Sequence, residues 1–302
     1  MKTKQLLMSA AIGTAAIFGL SSCGDKKETT DSSSSGEKVF VISAIPDEKI
    51  SDQKIKYQAL ADYLSEELKV KVEFSISKDY GAAVTRFANN EVQLVWFGGL
   101  TGVQARNKVE GSRAIAQGLA DPNYKSYFIA HKDTGLEKSE AFPKEIANMT
   151  FTFGSKKSTS GRLMPTWFIQ QETGKSPENF FTHEPQFRAS GGHVATAEAV
   201  QAGTVQVGAL SYKTYDKLVA TGKIDPNVAK IIWETPGYAD YNFSVNPSLN
   251  TMFGEGFVDK LQTALINCKD EKALGAINRK SIISAKNSDF DGIVKVAKEL
   301  GF

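Results

Sequence analysis

The sequence predicts an α/β protein of two lobes, on three observations. Short β-branched runs alternate with amphipathic stretches, the alternation starts again after a break, and 302 residues are enough for two hydrophobic cores. With 41% hydrophobic and 23% charged residues the chain has a globular balance, and 25 Gly with 9 Pro exclude a collagen-like or wholly disordered chain.

The elements follow in order. Residues 39–46 (VFVISAIP) are an apolar run short enough for a buried strand. Residues 53–68 space Ile55, Leu60, Tyr63, Leu64 and Leu68 along one helical face. A strand over 70–75, a helix over 80–89 and a strand over 92–97 complete the order expected of a parallel sheet with helical crossovers. Residues 114–120 and 127–130 read as strands, and 150–154 opens a second series. Helices are expected over 161–173 and 193–202, with strands over 205–210 and 230–234. The tail holds helices over 257–268, 271–279 and 290–300, expected to return to the first lobe.

The amino terminus is an address. Lys2 and Lys4 precede an apolar stretch, residues 6–20, too short to span a bilayer, which reads as a secretory signal over 1–22. Leu20-Ser21-Ser22-Cys23 resembles the bacterial lipobox, which implies that Cys23 becomes the lipid-modified first residue; a short anchor with an incidental cysteine is the alternative. Residues 23–38 are Ser-, Thr- and Lys-rich and serve as a solvated tether. The expected location is the cell envelope, on a membrane and facing the periplasm or exterior.

Composition excludes several functions. Charge is balanced, 36 Lys plus Arg against 34 Asp plus Glu, with no basic block, so nucleic-acid binding is not expected. Cys23 and Cys268 cannot build a disulfide framework or a zinc module, and His131, His183 and His193 form no metal-binding pair. No metal or cofactor is expected. Ser158 or Ser160 with His193 and Asp240 suggests a triad only as a list of residues. No G-x-S-x-G elbow is present, so an enzyme is not expected. Cys268 reads as a small buried hydrophobe.

In open α/β sheets ligands bind where strands end and helices begin. The sharpest such turn is Phe153-Gly154-Ser155-Lys156-Lys157-Ser158-Thr159-Ser160-Gly161, whose hydroxyls and exposed N–H groups suit an oxyanion. It lacks the P-loop pattern, and ordinary helix capping accounts for the same residues. At Gly98 and Gly99 paired glycines let a ligand approach the backbone, or simply make a tight turn. Ser190-Gly191-Gly192-His193 opens another helix and places a histidine near its start.

These segments, WFGGLTGVQAR, FTFGSKKSTSGRLMP, SGGHVATAEAVQAG and WETPGYADYNFSV, are similar in order and spacing to the phosphonate-binding lipoproteins of ABC importers. The resemblance is closest to the phosphate, phosphite or phosphonate branch, which includes a subgroup labelled selenate transporters, and it covers about residues 39–279. It implies a type II periplasmic-binding-protein fold with two crossover strands at the hinge. Residues 39–130 and 243–302 would form lobe 1, and 131–242 lobe 2, closing on ligand. It implies that Ser158, Thr159 and Ser160 bind the oxyanion and that Tyr80, His193 and Asp240 line the same site, to which the turn at Gly98 and Gly99 is added as a ligand-binding candidate. It also implies a permease and its ATPase as partners of a monomeric protein. Ser211 and Tyr212 stand where some phosphonate binders carry an acid for an aminoalkyl group, which argues against an aminoalkylphosphonate. Asp240 beside an oxyanion needs a proton between them, which favours phosphite, phosphate or a phosphonate over sulfate or selenate; a capping or pairing role for Asp240 is the alternative. A sensing lipoprotein docked on a receptor would carry the same site residues.

Overall fold

The computed structural model describes residues 38–189 and 192–302. Cys23, the signal and nearly all of the tether lie outside the described residues, as do Ser190 and Gly191. Every described element lies in one compact unit, Glu37–Phe302.

The chain first lays down β1 (Val39–Ala44), α1 (Ile50–Leu68), β2 (Lys71–Phe74), α2 (Tyr80–Ala88), β3 (Leu94–Phe97), α3 (Gly99–Arg106) and β4 (Arg113–Gly118). It crosses to β5 (Ser126–His131), β6 (Phe151–Thr152), α4 (Met164–Thr173), α5 (Pro177–Phe180), α6 (Gly192–Gln201), β7 (Val207–Ser211), α7 (Tyr212–Ala220) and β8 (Ala229–Glu234). It returns to β9 (Asn242–Val245), α8 (Ser248–Phe253), α9 (Phe257–Asn267), α10 (Glu271–Ala276), β10 (Ile282–Ser284) and α11 (Asp291–Leu300).

Two sheets result, ordered β10-β4-β9-β3-β1-β2 and β6-β7-β5-β8. Both are mixed, which corrects the expectation of parallel sheets. β1 pairs in parallel with β2 and β3, as helical crossovers require, but β9 returns from the other lobe and inserts antiparallel between β3 and β4. In the second sheet only β6 and β7 are parallel; β5 runs against both β7 and β8. β5 belongs to the second sheet, so the first passage between sheets falls at 119–125, earlier than the expected boundary at 130.

Burial follows strand alternation. Along β5, Phe128 and Ala130 face a cluster with Phe151, Phe153 and Trp233, whereas Ile129 faces Val200, Leu210 and Leu218. The second sheet is thus covered on both faces. In the first lobe α1 buries Tyr57, Leu60, Ala61 and Leu64 beside Leu261 and Leu274 of the C-terminal helices. Ile55, expected on that face, is 78% exposed, because the buried stripe of α1 runs instead through Gln53, Tyr57, Leu60 and Leu64. Each large apolar side chain so buried contributes about 1.5–3 kcal/mol.

The two passages between the sheets pair with each other. Tyr124 and Tyr238 exchange both backbone hydrogen bonds, at 2.8 and 3.0 Å, and Asp240 N–H donates to the Asp121 carbonyl at 3.1 Å. Beneath them Arg279 grips Asp121, with Nη2 2.6 Å from Oδ1 and Nε 2.9 Å from Oδ2. The guanidinium lies 5.0–5.4 Å from the ring centroids of Trp96, Tyr124 and Tyr241.

Candidate functional site

Helix starts converge on one buried place between the sheets. Tyr80 opens α2 behind Asp79, whose carboxylate caps Ala82 N–H at 2.7 Å. Gly99 opens α3 directly after β3. A π-type turn, Thr159–Leu163, leads into α4, so the helical run opens two residues before the expected 161 while the α-helix proper begins at Met164. His193 lies in the first turn of α6, and Ser211 caps α7.

The serine-threonine-serine turn divides its labour. Ser158 is the helix cap, accepting Gly161 N–H at 2.9 Å. Thr159 accepts Leu100 N–H at 2.9 Å, a bond that joins the two lobes. Ser160 faces His193, with Oγ 3.5 Å from Nε2, and its carbonyl accepts the Ser126 hydroxyl at 2.7 Å. All three residues are buried. The backbone must come close here: a Cβ on Gly161 would sit 3.1 Å from His193 Cε1, and one on Gly98 would sit 3.1 Å from Thr159 Oγ1 and 3.2 Å from Asp240 Oδ1. That accounts for glycine at both positions.

The histidine's tautomer follows from its partners. Ser211 N–H donates to Nδ1 at 3.2 Å, so Nδ1 is the bare nitrogen and Nε2 carries the proton. Burial pushes the imidazole pKa down to about 4, so His193 is a neutral donor at physiological pH. Its Nε2–H points between Ser160 and the Tyr241 hydroxyl, 3.4 Å away.

Asp240 is the counterpart. Gly99 N–H donates to Oδ1 at 2.8 Å, but Oδ2 is buried without a hydrogen-bond partner. Burial raises its pKa to about 7, against the opposing pull of Gly99 N–H and the neighbouring Thr159 hydroxyl. The Tyr80 hydroxyl is likewise buried and unpartnered. Two buried polar atoms without a partner are costly, which makes this a place among the described residues where a polar group from outside the chain would be accommodated.

Among the described residues, no Lys or Arg donates to Ser158, Thr159, Ser160, His193 or Asp240. Arg162, the cation inside the turn, is turned away: it stacks 4.2 Å over Phe153 and pairs with Glu178 at 3.0 Å. Arg106 is spent on Asn242 and Ser244, and Arg279 on Asp121. The donors that contact the site residues directly are therefore helix-start N–H groups and hydroxyls, while Lys157 Nζ stands beside Gly81 at the start of α2. No group of His, Cys, Asp and Glu able to hold a metal occurs among the described residues.

The structure brings together all eight residues expected from the sequence: Tyr80, Gly98, Gly99, Ser158, Thr159, Ser160, His193 and Asp240. Ser155 stays behind the turn, where its carbonyl accepts Ser158 N–H at 3.0 Å. Two members were missed. Tyr241 donates to Asp47 Oδ2 at 2.9 Å, stacks on Trp96 and touches His193. Asp47, whose pKa burial raises to about 6, stands at the carboxyl end of β1. That end is itself a strand-to-helix turn, the kind of place where the sequence argument looks, but Ile45-Pro46-Asp47 carries no glycine or hydroxyl to mark it.

Two α/β lobes joined by paired crossovers, with helix starts meeting between them, define a solute-binding protein of the two-lobed periplasmic type. A family model described as "ABC transporter, phosphonate, periplasmic substrate-binding protein" matches residues 42–290. The chain belongs to that family, the substrate-binding components of ABC transporters, which work in the cell envelope with a membrane permease and its ATPase. Among its relatives is the "Probable ABC transporter phosphite binding protein PhnD1" of Prochlorococcus marinus strain MIT 9301, 33% identical over 88% of this chain and 91% of the relative. The structure of PhnD1 in complex with methylphosphonate is 34% identical and superimposes with a TM-score of 0.80 over 87% of this chain and 98% of that one. A Pseudomonas aeruginosa binding-protein component of an ABC phosphonate transporter shares the fold at 19% identity, with a TM-score of 0.73 over 86% of both chains.

Proposed function

We propose that this protein captures a small phosphorus oxyanion, phosphite, phosphate or a short alkylphosphonate, between its lobes and hands it to the permease. One observation carries the reading: the unpartnered Asp240 Oδ2, in a buried site whose other polar groups are hydroxyls, amides and a neutral imidazole. A carboxyl with a pKa near 7 and a phosphorus oxyanion that titrates near neutrality share one proton, which makes a charge-assisted hydrogen bond of what would be a repulsion. Sulfate and selenate, fully ionised, leave that proton to Asp240 alone.

In this reading Ser158, Thr159, Ser160, His193 Nε2–H and the Tyr80 hydroxyl contact the ligand oxygens. Gly98 and Gly99 admit it to the start of α3. Cys23 carries the lipid that holds a monomeric protein to a bacterial membrane, and binding rather than turnover is the activity. The relative's phosphite name and the methylphosphonate in the neighbouring structure support a ligand of this size.

Thermal melting of the chain beginning at Glu37 tests the ligand. Phosphite, phosphate or methylphosphonate at 100 times its Kd is expected to stabilise it by about 2.7 kcal/mol, and sulfate or selenate at the same concentration to stabilise it less. A preference for selenate or sulfate overturns the reading. Membrane retention of Cys23→Ala after a salt wash would refute the anchor.

A further inference from the structure

Three consecutive residues leave β1 without entering α1: Glu48 and Lys49 pair with helices of the second lobe, and Asp47 pairs with Tyr241 on the returning crossover. Asp47 accepts the Tyr241 hydroxyl at 2.9 Å, and the same oxygen of Tyr241 lies 3.4 Å from His193 Nε2 of α6. Glu48 Oε1 pairs with Lys217 of α7 at 2.8 Å. Lys49 pairs with Glu198 of α6 at 2.8 Å. The main chain makes a further contact: Gly192, at φ +43°, would place a Cβ 3.0 Å from the Asp47 carbonyl oxygen. On its own side the segment is fixed, since Gln53 Nε2 donates to the Ile45 carbonyl at 2.7 Å and to Asp47 Oδ1 at 3.2 Å.

We propose that Asp47-Glu48-Lys49 is the clasp that holds the cleft closed, gripping α6 and α7, the two helices whose starts carry His193 and Ser211. The proposal rests on the reading of the protein as one that closes on a ligand. Glu48 is built for reversible use. Its second carboxylate oxygen pairs with Lys56 of its own lobe, so Glu48 keeps a partner when Lys217 leaves. The Glu48 and Lys217 side chains are 16% and 30% exposed, so their attraction is only partly screened, whereas Lys49 and Glu198, at 54% and 48%, lie in solvent and contribute less. The clasp forms only in the closed conformation, which the ligand-free protein also samples, so its loss acts mainly on how long the complex lasts and also widens the ligand-free ensemble.

Stopped-flow binding of phosphite to the chain beginning at Glu37, paired with small-angle scattering of the ligand-free protein, tests this. Lys217→Met is expected to raise the dissociation rate about tenfold, with the association rate within about twofold of wild type. It is also expected to enlarge the ligand-free radius of gyration. Lys49→Glu should raise the dissociation rate about twofold, and Lys49→Glu with Glu198→Lys should restore it, a rescue that neither a folding defect nor a lost ligand contact would show. Wild-type dissociation rates and radii in the Lys217→Met and Lys49→Glu variants would overturn the clasp. If no oxyanion binds wild type, the ligand reading fails, and scattering alone decides: an unchanged radius in Lys217→Met overturns the clasp as well.

Discussion

Asp121 and Asp240 sit on the two crossover segments, joined by a backbone hydrogen bond of 3.1 Å, and both are buried, yet they have opposite roles. Asp121 has its charge neutralised within the protein: Arg279 grips both of its oxygens and Gly118 N–H donates to it at 2.7 Å. Asp240 has one backbone donor and no cation, and one oxygen is left bare. Burial raises the pKa of both carboxyls, and the guanidinium beside Asp121 opposes that rise while Asp240 has no such cation.

The sharpest way to break that comparison is to remove the guanidinium. Arg279→Met should leave Asp121 buried and unpaired and cost about 3–5 kcal/mol in urea unfolding. A loss below about 1 kcal/mol would mean that the two aspartates are equivalent.

Asp240→Asn should act on binding instead. Affinity for phosphite is expected to fall about tenfold or more by calorimetry, since a charge-assisted bond of about 1.5–3 kcal/mol is lost. Its stability effect depends on pH. Asp240 has a native pKa near 7 against 3.8 for an unperturbed aspartate, so the native state holds more protons between those values. The associated stability is present below about pH 4 and is lost as pH rises through 7; Asp47, raised to about 6, has the same sign. Asp240→Asn should therefore gain on wild type as pH climbs from about 4 to 7. A constant difference between the two proteins would show that Asp240 is ionised throughout.

His193 runs the other way. Its native pKa near 4 lies below the reference 6.5, so its contribution is present above 6.5 and is lost as pH falls toward 4. His193→Gln keeps a donor and should remove that acid-side loss, by about 1–3 kcal/mol at pH 4.5 in chemical denaturation. In wild type the two slopes oppose each other over the same window, so each single variant exposes the other's slope.

The smallest effects distinguish the hydroxyls. Ser158→Ala removes the cap, about 1 kcal/mol of stability, and on the proposed function is expected to lower affinity as well. Thr159→Ala should lower affinity about tenfold with less change in melting. Ser155→Ala should do least to affinity, because only its carbonyl supports the turn. Equal affinities in all three variants would return the turn to plain capping.

Much of this was legible in the sequence because it is local. Strand and helix periodicity in residues 39–97, the three turns and their Gly, Ser and Thr residues are properties of neighbours a few positions apart. The sequence alone therefore determined the α/β class and pointed to three strand-to-helix turns, whereas Tyr80 and Asp240 joined the candidate site only through the family resemblance. Tertiary structure decided what depends on residues far apart along the chain. β9 enters the first sheet antiparallel between β3 and β4, so that sheet is mixed. Arg162 turns away to Phe153 and Glu178 and so makes no contact with the Ser158–Ser160 hydroxyls or Asp240. Asp121 finds Arg279 158 positions away, while Asp240 finds Gly99 141 positions away and no cation. An aspartate's charge state is fixed by what shares its burial, and periodicity carries no information about partners that only folding brings within 3 Å.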